Sequence, residues 1–326
     1  MTKAGEKVTL DDVYDAQTTI GKHLPKTPLL HSLSLSQMLD FDAYVKLENT
    51  LPTGAFKVRG GVNLIAHLSD EERRRGVIAA STGNHAQSIA YAARLFGVRA
   101  VFGMPENANP VKVEATRSFG AEVIFHGKDY DEARTWVEEE ARCKGYRYIH
   151  SANEPLLIAG VGTLYLEIMQ ELPSVDVVVV PIGGGSGAAA ACIVAKTLNP
   201  NVRIIGVQAE KAPAVYLSWK KRKIIETASA NTFAEGLATR VAFTLTSDIL
   251  CRMIDDIVLI SEEEIKHAIL TLLETTHQLA EGAGAASTAA AFKLREQLRG
   301  KKVVLSLTGG NLTLKTLRAI LEEGRL

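Results

Sequence analysis

The chain has 326 residues, with 37 lysines and arginines against 37 aspartates and glutamates, so no net charge draws it toward nucleic acid or a membrane surface. Its 46% hydrophobic and 23% charged residues are the ordinary balance of a soluble globular protein, long enough for one large or two closely associated domains. Cys143, Cys192 and Cys251 are scattered and lack a CxxC spacing, which speaks against a disulfide framework or zinc site and for a cytoplasmic location. The polar start, Met1 to Lys7, lacks the apolar core of a signal peptide, and no apolar run reaches membrane-spanning length.

Thr9 followed by Asp12 predicts a capped amphipathic helix through Val13, Ala16 and Ile20, ended by Pro25 and Pro28. A short strand follows at 44–48, and then the stretch Pro52-Thr-Gly-Ala-Phe-Lys57-Val-Arg-Gly-Gly61. Gly54 allows a sharp turn there, and Val58, Val62 and Ile65 give the next segment helical spacing. From 77 the pattern alternates: strands at 77–80, 99–104, 122–125 and 146–150, helices at 85–96, 111–119, 130–143 and 157–172. The second half continues with strands at 177–182, 202–208, 256–260 and 302–307. Its helices fall at 188–198, 214–221, from the Ser261-x-x-Glu264 capping box through Thr275, and at 285–298 and 314–323. The stretch 211–245 is the least regular. Near-continuous apolar strands alternating with helices predict an α/β fold of open, twisted, mostly parallel sheets flanked by helices.

In such sheets ligands bind beyond the carboxyl ends of strands, and three loops there are unusual. Ser81-Thr82-Gly83-Asn84-His85 opens a helix whose first amides can receive a carboxylate or phosphate, though a plain N-cap turn has the same pattern. Gly183-Gly184-Gly185-Ser186-Gly187 exposes amides at another helix start and is neither a Walker loop nor a full dinucleotide fingerprint, which points to a single phosphate. Thr308-Gly309-Gly310-Asn311 places a hydroxyl at a strand end. Lys57 alone reads more readily as a surface lysine opening a helix. With a phosphate cup, an anion loop and a neutral hydroxyl it completes the inventory that holds pyridoxal phosphate through a Schiff base.

These motifs, with Lys46-Leu47-Glu48 and Gly160-Val-Gly-Thr163, occur in an order that resembles the fold-type II pyridoxal-phosphate enzymes, in the branch of threonine dehydratases and serine racemases. The resemblance runs from Asp11 to Asn311, nearly the whole chain. It implies a tryptophan synthase β-like fold, with a large cofactor domain from 1–76 and 152–326 and a small mobile domain, 77–151, carrying the substrate-carboxylate loop. It also implies that Lys57 is the Schiff-base lysine, that Phe56 packs on the cofactor ring and that Asn84 bonds the ring hydroxyl. Gly183, Gly184, Gly185, Ser186 and Gly187 would hold the phosphate, Gly236 and Glu281 would lie at the cofactor, and Thr308 would face the pyridine nitrogen. Ser81, Thr82, Gly83, Asn84 and His85 would receive the substrate carboxylate, with Arg134 orienting the substrate.

A hydroxyl at the ring nitrogen does not stabilise a proton there, which favours elimination of a β-hydroxyl with freed Lys57 as base. The resemblance thus implies an ammonia-lyase acting on L-threonine and L-serine, giving 2-oxobutanoate or pyruvate. Racemases of the branch carry a serine at Thr82; the methyl group here crowds that position and makes Thr82 a restricted proton shuttle. A cation site of some relatives falls on Gln208 and Ala214, which carry no charge, so no metal is expected. Only 15 residues follow Asn311, as in the short catabolic type without a regulatory domain. Relatives are homodimers or homotetramers. Serine racemase, a dehydratase for another β-hydroxy amino acid, and a non-catalytic pyridoxal-phosphate or amino-acid binding protein are the alternatives.

Overall fold

The computed structural model describes residues 7–323, so the polar residues 1–6 at the start lie outside the described part. The chain opens with α1 (Leu10–Ile20), β1 (Leu29–His31), α2 (Leu33–Leu39) and β2 (Asp42–Leu47). The Thr9 hydroxyl and Asp12 carboxylate exchange hydrogen bonds with each other's backbone amides, the expected capping box of α1. Gly21, not Pro25, stops that helix by closing its last carbonyls. After α3 (Lys57–Ala66) come α4 (Asp70–Arg75), β3 (Val77–Ala80), α5 (Asn84–Leu95), β4 (Ala100–Met104), α6 (Pro110–Ser118) and β5 (Glu122–Phe125). Next are α7 (Tyr130–Lys144), β6 (Arg147–Tyr148) and α8 (Pro155–Glu171).

The remainder alternates β7 (Val177–Pro181), α9 (Ser186–Leu198), β8 (Arg203–Ala209), α10 (Ala214–Lys221), α11 (Thr244–Met253) and β9 (Asp256–Ile260). It ends with α12 (Glu262–Thr276), α13 (Gly282–Lys293), α14 (Arg295–Leu298), β10 (Lys302–Leu307) and α15 (Leu314–Glu323).

The described chain forms two compact units, Met1–Leu24 with Lys57–Gly160, and Pro25–Phe56 with Val161–Leu326. The positions 76/77 and 151/152 lie within the first unit, which includes α3 and the start of α8. The first unit holds a four-stranded parallel sheet, order β5-β4-β3-β6. The second holds six strands, order β1-β2-β10-β7-β8-β9, parallel except for the β1 edge. In that sheet Val177, Val179, Ile205, Val207, Val303 and Leu305 pack with Ala285, Ala286, Ala289 and Ala290 of α13. The alternate residues Val178, Val180, Ile204 and Val304 are buried too, so both faces are covered, as a parallel sheet requires.

Three local departures from the sequence reading have physical causes. β6 is two residues rather than five, because His150 Nδ1 accepts the amides of Ala152 and Asn153 and turns the chain out of the sheet. The helix expected over 285–298 breaks at Leu294, whose φ of −100 and ψ of 6 leave the helical well. The irregular stretch 211–245 carries α10, a 3-10 turn at Glu235–Leu237 and the start of α11.

Candidate active site

The candidate residues divide between the two units. In the second unit, the parallel neighbours β2, β10 and β7 all end at one edge of the sheet, so their following loops share that edge. The loops after β2 and β10 are zipped together. Phe56 donates its amide to the Thr308 carbonyl at 2.9 Å, Gly310 donates to Gly54 at 2.9 Å, and Asn311 Nδ2 reaches the Thr53 carbonyl at 2.8 Å. Gly54 has φ of 65, and a Cβ there would stand 2.6 Å from Asn311 Oδ1, so both its conformation and its packing require glycine. The pairing fixes Phe56 against the strand end that carries Thr308.

After β7 the glycine loop runs into α9. Gly185 is the N-cap with φ of 92 and no side chain caps the helix, which leaves its first turn to bind an anion through backbone N–H groups and the helix dipole. Gly183 lies so close to the Gly236 carbonyl that no Cβ fits between them. A Cβ on Gly187 would stand 3.5 Å from the Phe56 ring. The loop is held from behind by Thr246 of α11, whose hydroxyl donates to the Gly184 carbonyl at 2.8 Å. Thr246 escaped the sequence reading because it follows the irregular stretch and has no motif of its own. Glu281 precedes α13 without capping it; its amide donates to the Gly309 carbonyl at 3.0 Å, and its carboxylate lies where a Gly309 Cβ would be.

In the first unit, Lys57 starts α3 and its carbonyl accepts the Ser88 hydroxyl of α5 at 2.6 Å. Gly61 permits this approach, since a Cβ there would overlap Ser88. Lys57 Nζ donates to the Ser151 carbonyl at 3.4 Å, and burial pushes its ammonium down to about 8. Ser81, Thr82 and Gly83 form the turn after β3, with the Ser81 hydroxyl accepting the Gly83 amide at 3.2 Å. Gly83 is the N-cap of α5 and no side chain caps that helix either. A Cβ on Gly83 would meet nothing within 4 Å, so the space in front of the Asn84 turn is open.

The His85 side chain is buried, and neither ring nitrogen meets a hydrogen-bond partner in good geometry. Desolvation, with the nearby charges of Lys57 and His150, pushes it down to about 3, so the ring is neutral. Its backbone, at the first turn of α5, is the part suited to a carboxylate. Arg134 stands on α7, ion-paired with Glu138 at 2.9 Å and 38% exposed. His150, which the sequence reading passed over, is held down to about 4 mainly by burial.

Among the described residues no cluster of three or more His, Cys, Asp or Glu side chains could hold a metal ion. Gln208 is fully buried with its carbonyl oxygen accepting the Tyr216 amide at 2.8 Å.

A family model described as "pyridoxal-phosphate dependent enzyme" matches residues 20–309. The chain belongs to that family. An L-threonine ammonia-lyase from Thermotoga maritima is 41% identical over 317 residues, covering 97% of this chain and 79% of that protein. Among solved structures, threonine deaminase isoform 2 from Solanum lycopersicum superposes with a TM-score of 0.91 at 30% identity, covering 97% of this chain and 94% of that one. Maize serine racemase superposes with a TM-score of 0.92 at 30% identity, covering 98% of both chains. The α/β architecture with two mostly parallel sheets is therefore that of the fold-type II pyridoxal-phosphate enzymes. The donor set fits the cofactor: an uncapped, glycine-rich helix start offers amides and the Ser186 hydroxyl to an anion, and burial lowers the Lys57 ammonium to about 8.

Proposed function

We propose that this chain is an L-threonine ammonia-lyase that also takes L-serine, releasing ammonia with 2-oxobutanoate or pyruvate. The observation that carries the reading is Lys57, a desolvated amine with a depressed pKa, one peptide bond from the Phe56 amide that is tied to Thr308. The likeness to the Thermotoga maritima L-threonine ammonia-lyase supports the choice of substrate.

In this reading the amides of Gly183 to Gly187 and the Ser186 hydroxyl would hold the phosphate, and Phe56, Gly236, Asn84, Glu281 and Thr308 would hold the rest of the cofactor. Lys57 would hold pyridoxal phosphate, which when bound would supply the electron sink for the α-carbon of the amino acid. Lys57 Nζ would be the base toward the α-proton, and a pKa near 8 leaves a fraction of free amine at neutral pH. The Ser81–His85 turn and the first amides of α5 receive the substrate carboxylate, and the neutral His85 ring adds no competing charge. Thr308 offers the ring nitrogen a hydroxyl rather than a carboxylate, which disfavours a proton there and favours loss of the β-hydroxyl. Thr82 serves as a proton-shuttling hydroxyl and Arg134 orients the substrate.

The mobile small domain, the cytoplasmic location and a homodimer or homotetramer belong to the same proposal, the location resting on three free cysteines. Purified holoprotein given L-threonine, L-serine and a panel of other β-hydroxy amino acids should release 2-oxo acid fastest from L-threonine. Formation of D-serine from L-serine without 2-oxo acid would replace this reading with a racemase, which the likeness to maize serine racemase makes the one rival worth assaying.

A further inference from the structure

We propose that Tyr165 is a further cofactor-binding residue, its hydroxyl donating to the phosphate group held at the Gly183–Gly187 loop. Tyr165 lies on α8 within the second unit and is 1% exposed. Its Oη has no hydrogen-bond partner. Buried hydroxyls are rarely left so, and one that is left unpaired marks a place where another group belongs. Ser306 of β10 is its polar neighbour and acts on the phenol as a hydrogen-bonding side chain, lowering its pKa against the effect of burial, but the two hydroxyls do not meet in good hydrogen-bond geometry. The Ser306 carbonyl is taken by the Ser287 hydroxyl at 3.1 Å.

The position of Oη indicates the missing acceptor. It lies 3.5 Å from where a Cβ of Gly187 would stand, a point that is itself 3.5 Å and 3.7 Å from two atoms of the Phe56 ring. Gly187 is in the first turn of α9. A Cβ there leans toward the helix N-terminus, the end from which the unpaired N–H groups of that turn project. Oη thus lies beside the first turn of α9, the turn whose amides an anion at this helix start would use. Burial raises the phenol pKa, so the group stays protonated and donates. It adds a donor to an amide cup without adding a charge that would have to be desolvated when the cup is empty.

The proposal rests on the cofactor and not on the substrate, so it is tested on apoprotein by binding. Tyr165→Phe removes one oxygen and keeps the ring. If the hydroxyl serves the phosphate, the apoprotein of this variant has a urea midpoint equal to or above wild type, because an unpaired buried group has been removed. Its affinity for pyridoxal phosphate, read from the absorption of the lysine-bound cofactor, falls on the order of tenfold or more. Its affinity for pyridoxal, which lacks the phosphate, stays unchanged, and Ser306→Ala leaves both affinities at wild type. Unchanged pyridoxal-phosphate affinity in Tyr165→Phe would overturn the proposal. So would an equal weakening toward pyridoxal, which would place the hydroxyl's effect on the ring through Phe56. Wild-type apoprotein that binds no pyridoxal phosphate would instead overturn the cofactor roles assigned above.

Discussion

Lys57 and His85 show how one buried neighbourhood sets the protonation of two residues in the same direction. Both lose basicity, Lys57 to about 8 and His85 to about 3, with desolvation as the main cause in each. In apoprotein, an amine-acylating reagent should modify Lys57 with a midpoint near pH 8 while surface lysines react only at higher pH. Lys57→Ala should abolish that component and the visible absorption band formed with pyridoxal phosphate. Between about 8 and 10.5 the unfolded chain binds a proton that folded Lys57 has released, so apoprotein stability gains a contribution as pH rises through this window.

For His85 the window lies between 6.5 and about 3, where the unfolded chain binds a proton the folded ring refuses. Stability therefore falls as pH drops through it, and His85→Leu should flatten that fall in urea midpoints measured from pH 7 to 4. The sequence exposed these residues because Lys57 and the Ser81–His85 turn carry recognisable spacing. It did not expose that the His85 ring is sealed from solvent, nor that Tyr165 points toward Gly187, since both depend on contacts between distant segments.

Helices and strands were legible where the signal was local. The capping boxes at Thr9 and Ser261 form as their spacing requires, and a third at Ser69 and Glu72 starts α4, which the pattern of charges had hidden. Ser261→Ala should cost about 1 kcal/mol in chemical denaturation. The edge strand β1 and the helix α2 are too short for periodicity to reveal, and β1 exists through its pairing with β2. α11 matters more than its weak signal suggests, because Thr246 fastens the glycine loop. Thr246→Val should weaken pyridoxal-phosphate binding several-fold in an absorbance titration, while the far-ultraviolet circular dichroism stays at wild type. On β2, Lys46 is fully buried and pairs with Glu167 of α8 at 2.8 Å, with the Thr27 carbonyl at 2.6 Å. Glu167→Leu leaves that ammonium with only the longer ion pair to Glu171 at 3.8 Å and should cost on the order of 3 kcal/mol in urea unfolding.

At the scale of the molecule, alternating strands and helices revealed the fold class, but not which unit each segment joins. That assignment depends on pairings such as β2 with β10, which no local pattern encodes. Cofactor binding supplies a global handle on stability. Pyridoxal phosphate at about 100 times its dissociation constant should stabilise the holoprotein by about 2.7 kcal/mol, seen as a raised melting temperature that Lys57→Ala diminishes. The order of the six-stranded sheet also bears on synthesis. β10, residues 302–307, lies between β2 and β7, so a nascent chain on the ribosome carries the edge of β2 unpaired until almost all the rest has been made. Parallel pairings across such sequence distances form slowly and leave strand edges open to wrong partners meanwhile. Assistance by chaperones during translation would thus be needed most before Lys302 emerges, and stalled chains ending upstream of it would lack the central strand that joins the two halves of the sheet.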